Sequence, residues 1–240
     1  MLFAREPHAG SGKSRIAEEL GNTAAHAINS EMYAAALAVL NRWPGPAALA
    51  LADPSIDSDT HDALSREHIK LAQPGGSFGA RFQSVDLTLC SQHRGPRLYL
   101  GSDAPELSET FYRIAAEQLE HYDAVLAPAE DGGVTLLGTR CNWPALEHLP
   151  WGTNKLCEAL EEACLKEGLS VMKMPVSADV DTLDDLLRLR RSLKQDTRNN
   201  QQQLLMRLKK ILPDVCAVIP VKHDDEVALA LSEALISQGT

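Results

Sequence analysis

Four clusters of residues in this chain have the types and spacing of groups that handle phosphates and divalent cations. The first is the loop Arg5-Glu6-Pro7-His8-Ala9-Gly10-Ser11-Gly12-Lys13-Ser14-Arg15. Its Gly-Ser-Gly-Lys-Ser run invites a P-loop reading, in which backbone amides and a lysine cradle phosphates. The spacing argues against it, because the position five before Gly12 is Pro7, and proline lacks the N–H such a cradle uses. A Gly-rich turn between a strand end and a helix start still offers unpaired amides and a positive dipole end, and Arg5, Lys13 and Arg15 add charge. The plain alternative is a solvated turn carrying three ordinary cations. Three cations on one loop of an acidic chain favour a phosphate-handling role.

The second cluster is Leu98-Tyr99-Leu100-Gly101-Ser102-Asp103-Ala104-Pro105. An apolar strand runs straight into Gly-Ser-Asp, so Asp103 stands at a carboxyl end, where open α/β sheets bind ligands. A carboxylate there holds Mg²⁺ by one or two oxygens and leaves positions for substrate phosphates. As a helix cap Asp103 comes a turn too early, and Ser108 is the better N-cap. The third cluster is Pro128-Ala129-Glu130-Asp131-Gly132-Gly133. Asp-Gly is the usual hairpin signal, while two adjacent carboxylates also suit a sugar hydroxyl or a metal. The residues alone leave those readings even. The fourth is Asp179-Val180-Asp181-Thr182-Leu183-Asp184-Asp185. Thr182 with Asp185 three on matches a capping box, which leaves Asp179 and Asp181 as close negative charges that invite a cation. Gln73-Pro74-Gly75-Gly76-Ser77 entering a helix with Arg81 reads as a loop over substrate, and Trp151 reads as core or as a sugar platform.

Such residues need a scaffold, and the hydrophobic pattern supplies one. Short apolar runs at 1–4, 47–52, 97–101, 123–127, 133–138 and 169–174 have strand length. Helical patterns lie between them, from Gly12 or Lys13 towards Leu40 with a break at Gly21-Asn22, and at 79–92, 108–121, 153–167 and 182–194. Thr153 is the expected N-cap of its helix. The alternation predicts a three-layer α/β/α domain with a mainly parallel, mixed sheet. Residues 1–195 form that domain. Residues 196–240 read as a C-terminal helical appendage, with a polar run, a short basic helix at 204–211, an apolar run at 215–221 and a last helix at 225–237.

Composition excludes several classes. The chain has 240 residues, 44% of them hydrophobic, and a formal net charge of −10. An acidic body repels nucleic-acid backbones and anionic lipid, so no nucleic-acid partner is expected. No apolar run approaches the ~20 residues of a membrane span. Arg5 and Glu6 interrupt any signal-peptide core. The five cysteines form no C-x-x-C pair, and Cys157 and Cys164 share one helix face, as buried apolar residues would. A cytoplasmic protein is expected. The histidines lack zinc-site spacing, and no G-x-S-x-G elbow is present.

Taken in order, these segments resemble a largely uncharacterised bacterial family of glycosyltransferase-A type, with the nucleotide-diphospho-sugar transferase fold, related to the guanylyltransferases of phospholactate and molybdenum cofactor. The matching residues are Phe3-Ala4-Arg5, Pro7, Gly10, Lys13, Arg15-Ile16-Ala17, Leu20-Gly21, Gly79 and Arg81, then Gly101-Ser102-Asp103 with Pro105 and Leu107. Pro128 to Gly133, Leu137-Gly138, Pro150-Trp151 with Thr153, and Asp179 to Thr182 with Asp185-Leu186 complete the set.

The resemblance implies a metal-dependent transferase that takes an NTP or a nucleotide-sugar as donor and a small molecule as acceptor. Arg5, Gly10, Lys13, Arg15, Arg81 and Ser102 would hold the nucleotide. Asp103 and Asp181 would hold Mg²⁺ or Mn²⁺, and Asp103 and Lys13 would carry the catalysis. Glu130, Asp131, Gly132, Gly133 and Trp151 would face the second substrate. Glycosyl and nucleotidyl transfer are not separated by this reading, and a homo-oligomer is compatible with it. The family pattern usually has acids at the positions of Ser77 and Ala80 and an aromatic at that of Val134. These departures motivate a second reading, a nucleotide-binding or regulatory protein without turnover. Gly10 to Ser14 motivates a third, a P-loop kinase.

Overall fold

The sheet is built from short runs, of which the central ones are buried. In the computed structural model, which describes residues 1–8, 12–52 and 68–212, seven strands pair into one sheet. They are β1 (Leu2–Ala4), β2 (Ala48–Leu51), β3 (Ile69–Ala72), β4 (Arg97–Leu100), β5 (Ala124–Pro128), β6 (Val134–Thr139) and β7 (Val171–Lys173). Their spatial order is β3-β2-β1-β4-β6-β5-β7. All pairings are parallel except those of β6, which runs antiparallel to both β4 and β5. The reversal follows from a local turn. Ala129 and Gly133 close a tight hairpin between β5 and β6, with Gly132 at φ +88°.

Alternate strand residues feed opposite faces, as a period of two requires. Leu2, Leu49, Leu51, Val125 and Leu136 pack under helices α2 (Asn22–Arg42) and α4 (Glu109–Gln118). Phe3, Ala48, Ala50, Leu126 and Leu137 pack under α3 (Phe78–Gln92) and α5 (Leu156–Lys166). This is the three-layer α/β/α architecture with a mixed sheet that the sequence predicts. The break expected at Gly21 separates α1 (Ser14–Leu20) from the Ala-rich α2, and Gly21 takes φ +83° to make the corner. Cys157 and Cys164 are both buried on one face of α5.

Two expectations are corrected. Thr153 does not cap α5, which starts at Leu156 behind turns; its hydroxyl donates to Pro150 O instead. Strand β3 escapes the hydrophobic pattern because it is an edge strand whose residues alternate half-buried and exposed. The C-terminal segment also contains more helix than the basic run suggested. After α6 (Leu183–Ser192) and a 3₁₀ turn, α7 runs from Asn199 to Ile211. Its Leu204, Leu205 and Leu208 close a third apolar cluster with Ile16, Ile28, Met32 and Leu186 of α1, α2 and α6. The predicted segments at 215–221 and 225–237, with Cys216, lie outside the described residues. Among those residues no helix is long and apolar enough to cross a membrane.

Candidate functional site

From β1 the chain proceeds outward to β2 and β3, whereas β4 begins the other half of the sheet. The boundary between β1 and β4 is therefore the topological switch point, where the loops leaving neighbouring strands part and open a crevice. The loop after β1 carries Arg5 and Lys13, and the loop after β4 carries Ser102 and Asp103. Two of the four clusters read from the sequence thus meet here by topology.

Lys13 links the first cluster to the fourth. It is the non-glycine residue with positive φ among the described residues, at +50° in the left-handed region, immediately before α1. That conformation aims its ammonium at Val180 O, 2.5 Å away, and Asp181 Oδ1, 2.7 Å away. The main chain closes the next link, since Val180 N–H donates to Asp103 O at 3.0 Å. Asp103 in turn folds back over Gly101, where an added Cβ would stand 2.5 Å from its Oδ1. Any larger residue there would displace the Asp103 carboxylate from this position. The Asp181 turn is fixed by the expected capping box, in which Asp185 Oδ2 accepts from the N–H groups of Asp181 and Thr182.

Negative charge concentrates at this point. Burial first, then the charges of Asp131, Asp181 and Asp103, push the Asp179 carboxyl up to about 6. Asp179 therefore has Asp131, Asp181 and Asp103 as acidic neighbours, of which the sequence pairing suggested only Asp181. Among the described residues, no group of three or more His, Cys, Asp or Glu side chains gathers tightly enough to hold a metal alone. Two carboxylates from separate loops fit an ion that completes its shell with substrate oxygens and water, the usual habit of Mg²⁺.

The other candidates are distributed around this centre. Arg5 and Arg15 are exposed. Arg81 donates to Gln73 Oε1 at 2.7 Å and lies over the Phe78 ring. Burial, and then the like charge of Arg5, lower its pKa. Gln73, which begins the loop read as lying over substrate, is buried and ties Arg81 of α3 to the strands by donating to Ala4 O and Ala50 O, each at 2.9 Å. Asp131 resolves towards its turn role: its Oδ1 accepts from Gly133 N–H at 2.8 Å. Gly132 lies so close to Asn154 O that a Cβ would come within 2.1 Å of it. Glu130 is bound by Arg188 of α6 at 2.6 Å, a partner without a sequence signal. Gly10 lies outside the described residues.

Beside the four acids opens a cleft of about 450 Å³, reached by Arg5, Ser102, Asp103 and Trp151. Its walls are Phe3 of β1, Phe78 and Phe82 of α3, Tyr99 of β4 and residues of β6. Gly79 lets α3 approach the loop after β6, since a Cβ there would lie 2.4 Å from Trp151 Nε1 and 2.6 Å from Leu146 O. The aromatics Phe78 and Phe82 lie four apart on α3.

Residues 35–153 match a family model described as an uncharacterized protein conserved in bacteria (DUF2064). No curated protein matches the sequence. Among solved structures, a protein of Desulfovibrio desulfuricans G20, provisionally described as a nucleotide-diphospho-sugar transferase, is similar at 26% identity and a TM-score of 0.79, covering 88% of this chain and 94% of its own. A cytidylyltransferase from Leptospira borgpetersenii serovar Hardjo-bovis (strain JB197) shares the fold at 12% identity and a TM-score of 0.51, covering 87% of this chain and 92% of its own. The chain thus has the α/β fold of the nucleotide-diphospho-sugar transferase type, and residues 35–153, from its central strands and helices, are similar to the DUF2064 family.

Proposed function

We propose that the protein is a nucleotide-dependent, metal-assisted transferase, taking an NTP or a nucleotide-sugar as donor and a small molecule as acceptor. The observation that carries this reading is the chain of contacts at the switch point, from Lys13 through Asp181 and Val180 to Asp103. It puts a fixed cation and two carboxylates where the loops of β1 and β4 diverge. The similarity to a protein provisionally described as a nucleotide-diphospho-sugar transferase, and to the fold of a cytidylyltransferase, supports it.

In this reading Lys13 meets a phosphate oxygen without having to be oriented, because Val180 O and Asp181 already hold its ammonium. Arg5 and Arg15 supply further positive charge from the exposed loop. Asp181 pairs with Lys13 through Oδ1, and Asp181 and Asp103 are the carboxylates that would hold a divalent cation. Mg²⁺ or Mn²⁺, when bound, would neutralise charge on the diphosphate or triphosphate. Catalysis by such a site rests on positioning and preorganised charge rather than on a protein nucleophile.

The test is the melting temperature of the full chain with a panel of NTPs and nucleotide-sugars, with and without Mg²⁺ or Mn²⁺, repeated on Asp103→Ala. A ligand that binds only the native state raises the transition with its concentration. A metal-dependent rise for one nucleotide, abolished in the variant, is the expected result. No rise for any nucleotide removes this reading. A rise in the wild type with no transfer to any acceptor would favour the binding or regulatory reading that Ser77, Ala80 and Val134 motivate.

A further inference from the structure

The cleft beside Asp103 is walled by rings whose polar atoms are all turned away from it. Phe3, Phe78, Phe82, Tyr99 and Trp151 form one continuous aromatic cluster, with centroid separations of 5.2 Å for Phe3–Phe78, 4.8 Å for Phe78–Trp151 and 4.9 Å for Phe82–Tyr99. Tyr99 gives its hydroxyl proton to Asp86 Oδ1 and accepts from Arg97 Nε at 2.9 Å. Trp151 spends its indole N–H on Leu146 O at 2.8 Å. Thr135 Oγ1 lies 2.5 Å from Ser177 Oγ. The remaining wall side chains are aliphatic or phenyl. Among the described residues that line it, polar side-chain groups therefore face the cleft only where Arg5, Ser102 and Asp103 reach it, at the carboxyl ends of β1 and β4. Phe78, 41% exposed, is the ring most open to solvent and the one that Arg81 covers.

From this distribution we infer that the cleft takes an aromatic or comparably apolar group whose single anionic or hydroxyl end faces Arg5, Ser102 and Asp103, and that it does not take a polyhydroxylated sugar. The inference rests on the transferase reading, since it assigns the chemical class of the second substrate of that site. A sugar entering the wall would give up the water around several hydroxyls and find no side-chain donor or acceptor in exchange, a loss that buried polar groups do not tolerate. A planar ring meets edges and faces of five others, the arrangement that aromatic pairs favour. The reacting end then lies beside Asp103, and the apolar body is held away from the four acids.

The experiment compares phenyl phosphate with glucose 1-phosphate on the full chain by ligand-observed NMR titration. The two probes carry the same anion and differ only in the organic part. Phenyl phosphate is expected to bind at least tenfold more tightly, and Phe78→Ala to weaken it about tenfold. Val134→Thr, which is isosteric and puts a hydroxyl on the wall, is expected to weaken it as well and serves if Phe78→Ala does not fold. Equal or tighter binding of glucose 1-phosphate, binding of neither probe, or displacement of phenyl phosphate by a free nucleoside would overturn the inference. Displacement by a nucleoside would place the base in the cleft and leave the transferase reading intact. Phe78-dependent binding of phenyl phosphate with no nucleotide-induced melting shift would remove the transferase reading and leave the cleft's ligand class standing.

Discussion

The ammonium of Lys13 meets the carboxylate of Asp181 at 2.7 Å across 168 positions of sequence. The contact depends on the left-handed backbone of Lys13, a conformation that costs a non-glycine residue roughly 1–2 kcal/mol. The lysine side chain is 11% exposed and the aspartate 45%. A half-exposed pair of this kind adds little stability by itself. We propose that the strain is held for placement of the charge, for a site that meets phosphate.

That separation of backbone from side chain gives a first prediction. Lys13→Gly and Lys13→Ala both remove the ammonium, but only glycine relieves the positive φ. Lys13→Gly is expected to be more stable than Lys13→Ala by roughly 1 kcal/mol in urea unfolding. Both variants should lose the nucleotide-induced melting shift to the same extent. If glycine is the less stable of the two, Lys13 is not held in the left-handed region.

Behind the aromatic wall, Asp86 and Arg97 form a buried pair at 2.9 Å, with side chains 3% and 6% exposed. Arg97 also donates to Gly95 O and Cys141 O. Burial, then the negative Asp86, push the Tyr99 phenol above its usual range, so the ring stays neutral. Asp86→Ala strands the Arg97 charge and is expected to cost roughly 3–5 kcal/mol. Asp86→Asn keeps the shape and should cost less. Equal urea midpoints for wild type and Asp86→Ala would show that the pair is not buried in solution.

Much of this arrangement was legible in the sequence, for identifiable reasons. The layer architecture followed from apolar runs alternating with amphipathic ones, and Asp103 from its place straight after such a run. The capping box at Thr182 and Asp185 and the N-cap at Ser108 were local patterns, and both formed. Other features depend on contacts distant in sequence. Nothing near Arg188 announces Glu130, 58 positions away. Phe78 and Tyr99 meet in one cleft only where α3, β1 and β4 converge with the loop that carries Trp151. Strand β3 was missed because half its residues face solvent, and Thr153 was misread because turns intervene before α5.

Asp123 sets a pH dependence far from the site. The Ser170 main-chain N–H, then the Ser170 hydroxyl, then Arg140 hold its carboxyl down from 3.8 to about 2. A carboxyl depressed in the folded state contributes stability that is complete above its unfolded value and is lost as pH falls through its folded value. Asp123→Asn is therefore expected to melt below the wild type at pH 7. The difference should shrink between pH 3.8 and about 2. A gap unchanged by acid would show that the charge is not what Ser170 and Arg140 recognise.

Helix α7 reaches the loop that follows Asp103. Arg198 donates to Leu107 O at 2.7 Å and Glu106 O at 3.2 Å, and Gln201 donates to Pro105 O at 3.2 Å. Arg198→Lys keeps the charge but loses the planar fork. Both Arg198→Ala and Arg198→Lys are expected to lose about 1–3 kcal/mol. Amide exchange at Leu107, whose N–H donates to Ala104 O, should accelerate in both. Unchanged exchange there would mean that α7 rests on the domain without holding the loop.

Two glycines near the cleft separate strain from collision. Gly132 and Gly152 both take positive φ, at +88° and +74°. A Cβ on Gly152 meets nothing within 4 Å, whereas one on Gly132 would lie 2.1 Å from the main-chain oxygen of Asn154. Gly152→Ala carries only the conformational cost, roughly 1–2 kcal/mol. Gly132→Ala carries that cost and must also push back the segment that leads into α5, because Cys157 N–H donates to Gly132 O at 3.1 Å. It is expected to cost at least twice as much as Gly152→Ala and to change the emission of Trp151, whose position depends on that segment. Equal costs in urea unfolding, with unchanged emission, would mean that the β5–β6 turn and the start of α5 are not in contact.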